Sequence, residues 1–328
     1  MKIDVFGIGN PLIDIITGVS DSEIVKLKKN KGGMHLISFE EREEILNLIQ
    51  SREIAYQCGG SAPNTMISLS HFGLKTALSG KVGKDEYGLK YISALENSGV
   101  ISNIVQDNGP TGSSIILLTP DSERTMNTFL GVNRQYRKSD LDENLLLQSK
   151  YFYFTGYMWD TEEQKQAILR AIEICEENNI KIVFDVADPF AVNRNKNDFL
   201  DLIKQHVSIL FANEQEAEML CGSKNAEQNL AYFEEYTGIV NIKMGAKGSF
   251  TASGNKKNFL KITPIEAIDS TGAGDMYAAG FLFGLLKGKD AFKAAEYASF
   301  AASEIVKVKG AQFSEENYIR VSNRLNSI

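Results

Sequence analysis

Cysteine is scarce, with three residues (Cys58, Cys175 and Cys221) in 328. They are far apart and form no CxxC and no Cys/His spacing that would hold zinc. An odd count in a long chain excludes a disulfide-stapled scaffold. Cys175 and Cys221 read as core packing, and Cys58 stands beside a Gly-rich turn. Histidine is equally rare. His35, His71 and His206 make no H-x3-H pair, and no G-x-S-x-G elbow occurs, so zinc and serine hydrolase readings have no support. No apolar run reaches the roughly 18 residues that span a bilayer. The first residues, Lys2-Ile3-Asp4-Val5-Phe6, carry an early acid and no signal-like apolar run, so they read as a first strand and a cytoplasmic protein is expected. Long basic runs are also missing. Lys and Arg number 35 against 42 Asp and Glu, a net charge of −7. Neither nucleic acid nor a membrane is therefore an expected partner. A small anion is still compatible, because helix N-termini bind phosphate without a basic surface.

Apolar residues make up 43% and charged residues 23%, the balance of a globular chain long enough for one large or two ordinary domains. Short apolar runs at 5–8, 76–82, 151–154, 182–184, 208–211 and 240–243 read as strands. Amphipathic stretches at 40–50, 62–72, 86–97 and 162–177 read as helices. The alternation predicts an α/β fold with a largely parallel central sheet flanked by helices. Two regions break the rhythm. Residues 14–39 hold short β-like pieces around Gly32-Gly33. Residues 113–119 and 124–130 read as a hairpin turning at Pro120-Asp121-Ser122-Glu123. These pieces suit a small separate sheet over one edge of the main domain.

The strongest chemical signal is Asp269-Ser270-Thr271-Gly272-Ala273-Gly274-Asp275, which leads into an apolar helix rich in small residues. The N–H groups of Gly272, Ala273 and Gly274 would lack intrahelical partners, and the positive dipole end adds to them, so the turn suits an anion hole. Asp275 is awkward beside a phosphate unless it takes a proton from the hydroxyl that attacks it. An ordinary first-turn acid on a buried helix fits the same residues.

A second signal is Gly59-Gly60-Ser61-Ala62-Pro63-Asn64. Here a tight turn precedes a helix, Ser61 is the candidate N-cap, and Asn64 is able to bond a polyol. The third is Gly9-Asn10-Pro11-Leu12-Ile13-Asp14 at the carboxyl end of the first strand, where Asn10 and Asp14 suit a clasp on vicinal hydroxyls. A dinucleotide fingerprint beginning at Gly7-Ile8-Gly9 fails, since Leu12 replaces its third glycine. Asn213 and Glu216, three apart, suit a magnesium-bound water and fit a capping box equally well. Arg124 is a candidate phosphate clamp or a solvated strand charge. The turn Met244-Gly245-Ala246-Lys247-Gly248-Ser249 lacks P-loop spacing.

Together these motifs resemble the ribokinase-like, or PfkB, family of sugar and nucleoside kinases. Residues 59–83 look like its first signature, and 269–282 match its second. The resemblance implies a large α/β domain (1–10, 59–108 and 131–328), a β-sheet lid from 11–58 and 109–130, ATP and magnesium. It makes Asp275 the catalytic base and residues 272–274 the anion hole. The N-terminal motifs are most similar to those of adenosine kinases. That similarity puts Asp14, Gly60 and Asn64 on ribose and Met34 and Leu36 over the base. Arg124 would reach the transferred phosphate, and Met126, Thr128 and Leu130, alternating with it on one face of the hairpin, would wall the pocket. Tyr157 and Phe190 stand where stacking aromatics are found. The nucleotide side falls to Asn213, Glu216, Lys243, Gly245, Gly248, Thr271 and Gly310. Asp269, Thr271, Gly310 and Ser314 are candidate potassium ligands, mostly through backbone oxygens. Three features depart from adenosine kinases: Tyr157 replaces the usual Phe, Asp188-Pro189-Phe190 is more acidic, and Glu123-Arg124-Thr125-Met126-Asn127-Thr128 resembles a bacterial subgroup described as sugar kinases. The expected reaction is ATP-dependent phosphorylation of a nucleoside 5′-hydroxyl, by a monomer or a homodimer joined through the lid. A sugar kinase such as one for ribose or fructose, or a silent nucleoside-binding protein on the same fold, is the alternative.

Overall fold

The computed structural model describes residues 2–121 and 123–327; Ser122, in the expected hairpin turn, lies outside them. Fourteen strands are found among the described residues: β1 (Ile3–Ile8), β2 (Leu12–Gly18), β3 (Met34–Leu36), β4 (Ala55–Gly59), β5 (Thr76–Gly83), β6 (Ile101–Asp107), β7 (Ser113–Leu118), β8 (Arg124–Phe129), β9 (Ser149–Thr155), β10 (Lys181–Asp185), β11 (Ile209–Asn213), β12 (Ile239–Lys243), β13 (Gly248–Ser253) and β14 (Lys256–Lys261).

Nine of them form one sheet in the order β14-β13-β12-β11-β10-β9-β1-β5-β6, parallel except at the β12-β13-β14 edge. β1 lies between β9 and β5, so the strand order reverses there. In open α/β sheets, ligands bind beyond the carboxyl ends of strands at such a reversal. Val5, Phe6 and Ile8 are fully buried, as a strand covered on both faces requires. One face packs Phe152, Phe154, Phe184 and Phe199 in a single cluster. The other packs Phe211 against Met276, Tyr277 and Phe281 of the helix Ala273–Leu286. That helix is apolar on nearly every side. A Cβ at Gly280 or Gly284 would sit 2.8 Å from the Cα of Ala298 or Ala294, so glycine lets the helix Ala291–Ile305 close against it. Its first turn is its polar end.

The second sheet has the order β3-β8-β7-β2-β4. Ile13, Ile15, Ile115 and Leu117 point to one side and pack with Ile45 and Ile49 of the helix Phe39–Ile49. The alternate positions form a row in register on the other side: Leu36, Thr128, Ser114, Asp14 and Gln57. β8 ends at Phe129, and Leu130 instead caps a 3-10 helix, Gly131–Gln135. Leu130 is therefore outside the alternating row in which it was expected. Ser61 is likewise not the N-cap of its helix. Gly60 takes that place at φ +101°, which frees the Ser61 hydroxyl.

Candidate active site

Asp275 sits in the first turn of Ala273–Leu286. Gly272 precedes it at φ +74°, where a Cβ would meet the Ala311 Cα at 2.7 Å, so the turn demands glycine. The Ala273 N–H donates to the Ser270 carbonyl at 3.2 Å, which removes it from the expected amide cradle. The first bond closing onto the helix is Met276 N–H to Gly272 O, 2.8 Å. Gly274 and Asp275 stand before it, so their N–H groups lack intrahelical partners.

Ser61 Oγ donates to one Asp275 carboxylate oxygen at 2.6 Å, and Asn64 Nδ2 donates to the other at 2.9 Å. Gln312 Nε2 in turn donates to Asn64 Oδ1 at 3.1 Å and to the Cys58 carbonyl at 2.6 Å. Desolvation pushes the Asp275 carboxyl up to about 7; the bonds from Ser61 and Asn64 oppose it, the charge of Asp185 adds to it, and Lys243 lowers it. A carboxyl poised near neutrality and held by two donors is suited to general-base work.

A cavity of about 440 Å3 opens beside this turn, lined by Gly274, Ala273, Tyr277, Lys243, Glu216, Asn213, Gly245 and Gly248 among others. Thr271 and Gly310 are not among its lining residues. Asn213 and Glu216 do form a capping box. The Glu216 carboxylate accepts from Asn213 N–H at 2.8 Å and from Asn213 Nδ2 at 2.6 Å. Burial pushes Glu216 up to about 7 although Lys243 opposes it. The Lys243 ammonium bonds both carboxylate oxygens of Asp185 at 3.0 Å. Burial works against its charge, but Asp185 and Glu216 outweigh burial and raise its pKa. Sequence reasoning missed Asp185, although an acid ending a core strand in an open α/β sheet was the signal. Two residues on, Ala187 is left-handed at φ +69°, and its N–H donates to Asp185. Strain of this kind in a non-glycine residue clusters at functional sites.

On the other side of the turn lies Asp14. A Cβ on Gly59 would fall 2.3 Å from its Oδ1, so the carboxyl rests on bare backbone. Its carboxylate has no hydrogen-bond partner among the described residues, and desolvation pushes it up to about 7, with Arg124 opposing. Residues 59–64 thus touch both Asp14 and Asp275. Asn10 is packed against Gly60, where a Cβ would meet the Asn10 carbonyl at 2.2 Å. Met34 and Leu36 are exposed, beside Met126 and Thr128 of β8. Tyr157 donates to Asp188 at 3.0 Å. Phe190 is 71% exposed.

Arg124 departs from expectation. It is ion-paired with Asp269 instead of being free for a phosphate. Asp269 also accepts from Thr271 N–H at 2.9 Å, Thr271 Oγ1 at 2.6 Å and Gly310 N–H at 2.8 Å, so its carboxylate is spent on the turn. Ser314 is exposed and caps the helix Glu315–Ser327 through its carbonyl and hydroxyl. Among the described residues no group of three or more His, Cys, Asp or Glu side chains converges as a metal site.

A sequence profile of the pfkB family carbohydrate kinases matches residues 30–317. The chain belongs to this family. It is therefore a phosphotransferase with an alcohol group as acceptor, and the family implies ATP and a divalent metal. Among solved structures, the pfkB-family chain is similar to the adenosine kinase of Sinorhizobium meliloti, with a TM-score of 0.86 and 31% identity over 98% of this chain and 99% of that one. It is similar to a probable sugar kinase of Rhizobium etli at TM-score 0.89 and 30% identity over 100% and 99%. A 5-dehydro-2-deoxygluconokinase of Clostridium beijerinckii is 25% identical over 79% of this chain and 81% of its own length. The fold is ribokinase-like, with a mixed, mostly parallel sheet and a second small sheet. No helix among the described residues is long and apolar enough to cross a membrane.

Proposed function

We propose that this pfkB-family kinase phosphorylates the primary 5′-hydroxyl of adenosine or a related nucleoside. The observation that carries the reading is Asp14. It is a desolvated carboxylate without a hydrogen-bond donor of its own, resting on Gly59, two residues before the Ser61 that holds Asp275. Two vicinal hydroxyls would supply the donors it lacks. Arg124, whose charge acts on Asp14, is already paired with Asp269. An acid sugar would bring a third carboxylate to Asp14 and Asp275, whereas a neutral acceptor adds no charge. Beyond the polar row, Met34, Leu36 and Met126 offer apolar surface that a base would cover and a bare sugar would not.

In this reading Asp275 accepts the acceptor's proton as the hydroxyl oxygen bonds to the γ-phosphorus. The bond from that phosphorus to the bridging oxygen breaks, and ADP leaves. The N–H groups of Gly274 and Asp275, with the Lys243 ammonium, meet the charge on the phosphoryl oxygens. Glu216 fits a hydrated magnesium ion. Its carboxylate lies on the cavity wall and is desolvated, and both its oxygens already accept from Asn213, which leaves it for outer contact through water. Magnesium when bound supplies neutralisation of phosphate charge. Asp269, Thr271, Gly310 and Ser314 enter no step. The small sheet, tied down by Arg124, serves as the lid that excludes water.

The sugar-kinase reading draws on the names of the Rhizobium etli and Clostridium beijerinckii relatives. Release of ADP with adenosine, ribose, fructose and 5-dehydro-2-deoxygluconate, one at a time, separates the two. Adenosine is expected to give the highest kcat/KM, and a preference for any of the free sugars overturns the nucleoside reading. Asp275→Asn is expected to bind ATP normally and to lose on the order of 100-fold or more in turnover. Near-normal turnover overturns the base.

A further inference from the structure

Gln164 lies at the third position of the helix Glu162–Glu177 and is fully buried. A long polar side chain in that setting requires a reason. Its Nε2 donates to the Asn133 backbone carbonyl at 2.9 Å and to Asn10 Oδ1 at 2.9 Å. A backbone carbonyl only accepts, so the Asn133 contact fixes which end of the Gln164 amide faces it. Both amide protons are then committed, and a flip would set oxygen against two acceptors. Asn10 must in turn present its oxygen to Gln164. Its Nδ2 is thereby turned away, toward the Tyr157 carbonyl at 3.4 Å, with a second proton that has no partner among the described residues.

The same cluster holds the chain where it passes between the two sheets. Asn133 Nδ2 donates to the Pro11 carbonyl at 2.7 Å, so the exit from β1 and the segment following β8 are bonded together beneath the small sheet. Gln164 Oε1 and Asn133 Oδ1 are themselves buried without a partner among the described residues. Local hydrogen-bond satisfaction is thus given up on both amides while the contact to Asn10 is kept.

We propose that Gln164 is a positioning residue for the acceptor, acting through Asn10 by fixing that amide as a hydrogen-bond donor toward the substrate. The proposal rests on the reading of Asn10 as part of the acceptor site. Gln164 touches neither the nucleotide cavity nor Asp275, so its effect belongs in the acceptor KM.

A double-mutant cycle with Gln164→Met and Asn10→Ala tests this, read as KM for adenosine and KM for ATP. Gln164→Met is expected to raise the adenosine KM about tenfold and to leave the ATP KM within about twofold. In the Asn10→Ala background it is expected to do nothing further. Additive effects, or an equal rise in both KM values, overturn the positioning role and leave the acceptor reading intact. An unchanged adenosine KM in Asn10→Ala alone overturns Asn10 as an acceptor residue, and the proposal with it. That outcome is distinct from an intact turnover in Asp275→Asn. Should Gln164→Met fail to fold, Gln164→Leu, which has no donor for Asn10, enters the same cycle with the same expectations.

Discussion

Arg124 of the small sheet is ion-paired with Asp269, in the segment that leads to the Asp275 helix, so a residue 145 positions away in sequence ties that sheet to the site turn. The two partners differ in what they would leave behind. Without Arg124, Asp269 keeps the Thr271 N–H, the Thr271 hydroxyl and the Gly310 N–H. Without Asp269, those three donors and the guanidinium all lose an acceptor, and Arg124 Nε is already buried without one among the described residues. Arg124→Ala is therefore expected to cost about 1–2 kcal/mol and Asp269→Ala about 3 kcal/mol or more. Urea unfolding measures both, and equal costs would refute the asymmetry.

The pH dependence follows from Asp275. Burial holds its proton on up to about pH 7, so the base form grows as pH rises through neutrality. kcat/KM is expected to climb along an acid limb centred near pH 7. Ser61 donates to the ionised carboxylate, and losing that bond favours the protonated form. Ser61→Ala is expected to move the limb to higher pH and to cut activity at pH 7 several-fold, about fivefold for the first pH unit of displacement. Activity at pH 9 should largely recover. A limb that stays in place, measured with saturating ATP, would separate Ser61 from the base.

Legibility in the sequence tracked locality. The turn Gly272-Ala273-Gly274-Asp275 is a strand-free connection and a helix start within a short stretch, so the helix start is legible from spacing, while the bond that takes the Ala273 N–H is not. The strands 5–8 and 76–82 were readable because both faces of a parallel strand are buried. What escaped is long-range pairing. Ser61 and Asn64 were read as a cap and a polyol contact, while their bonds to Asp275 span 214 and 211 residues. Asp185 meets Lys243 from a strand 58 residues away. From the hairpin alone Arg124 is a phosphate clamp or a solvated strand charge, because Asp269, 145 residues on, is invisible there. β3, three residues long, pairs parallel with β8 and has no run for periodicity to register.

Asp14 carries a stability prediction with a definite sign. Its native carboxyl titrates at about 7, against 3.8 for an ordinary aspartate. Between those values the native state binds more protons than the unfolded chain, so this group lowers stability as pH rises through the window, and the loss persists above it. Asn has no charge to desolvate. Asp14→Asn should therefore gain stability relative to the parent on going from pH 4 to pH 8, by on the order of 2–4 kcal/mol. The comparison of parent and variant cancels the other titrating groups. The acceptor KM should rise in the same variant, since the clasp on the hydroxyls is weakened. A pH-independent difference in chemical denaturation would mean that Asp14 is solvated in the folded protein.

Substitution of Phe190 is a test that tells a nucleoside acceptor from a bare sugar. The Asp188 carboxylate accepts from the Phe190 N–H at 2.5 Å and from the Tyr157 hydroxyl at 3.0 Å, so one acid holds both aromatic residues in place. The Tyr157 carbonyl accepts from Asn10 Nδ2 at 3.4 Å. Phe190 is 71% exposed and supports no core contact. Phe190→Ala should then change folding stability by less than about 0.5 kcal/mol. If a purine stacks on the ring, the same substitution removes about 1–3 kcal/mol of stacking. The adenosine KM would rise roughly fivefold to 100-fold, while any ribose phosphorylation would keep its KM. An adenosine KM unchanged in Phe190→Ala would leave the ring without a ligand and return the base to the Met34, Leu36 and Met126 surface.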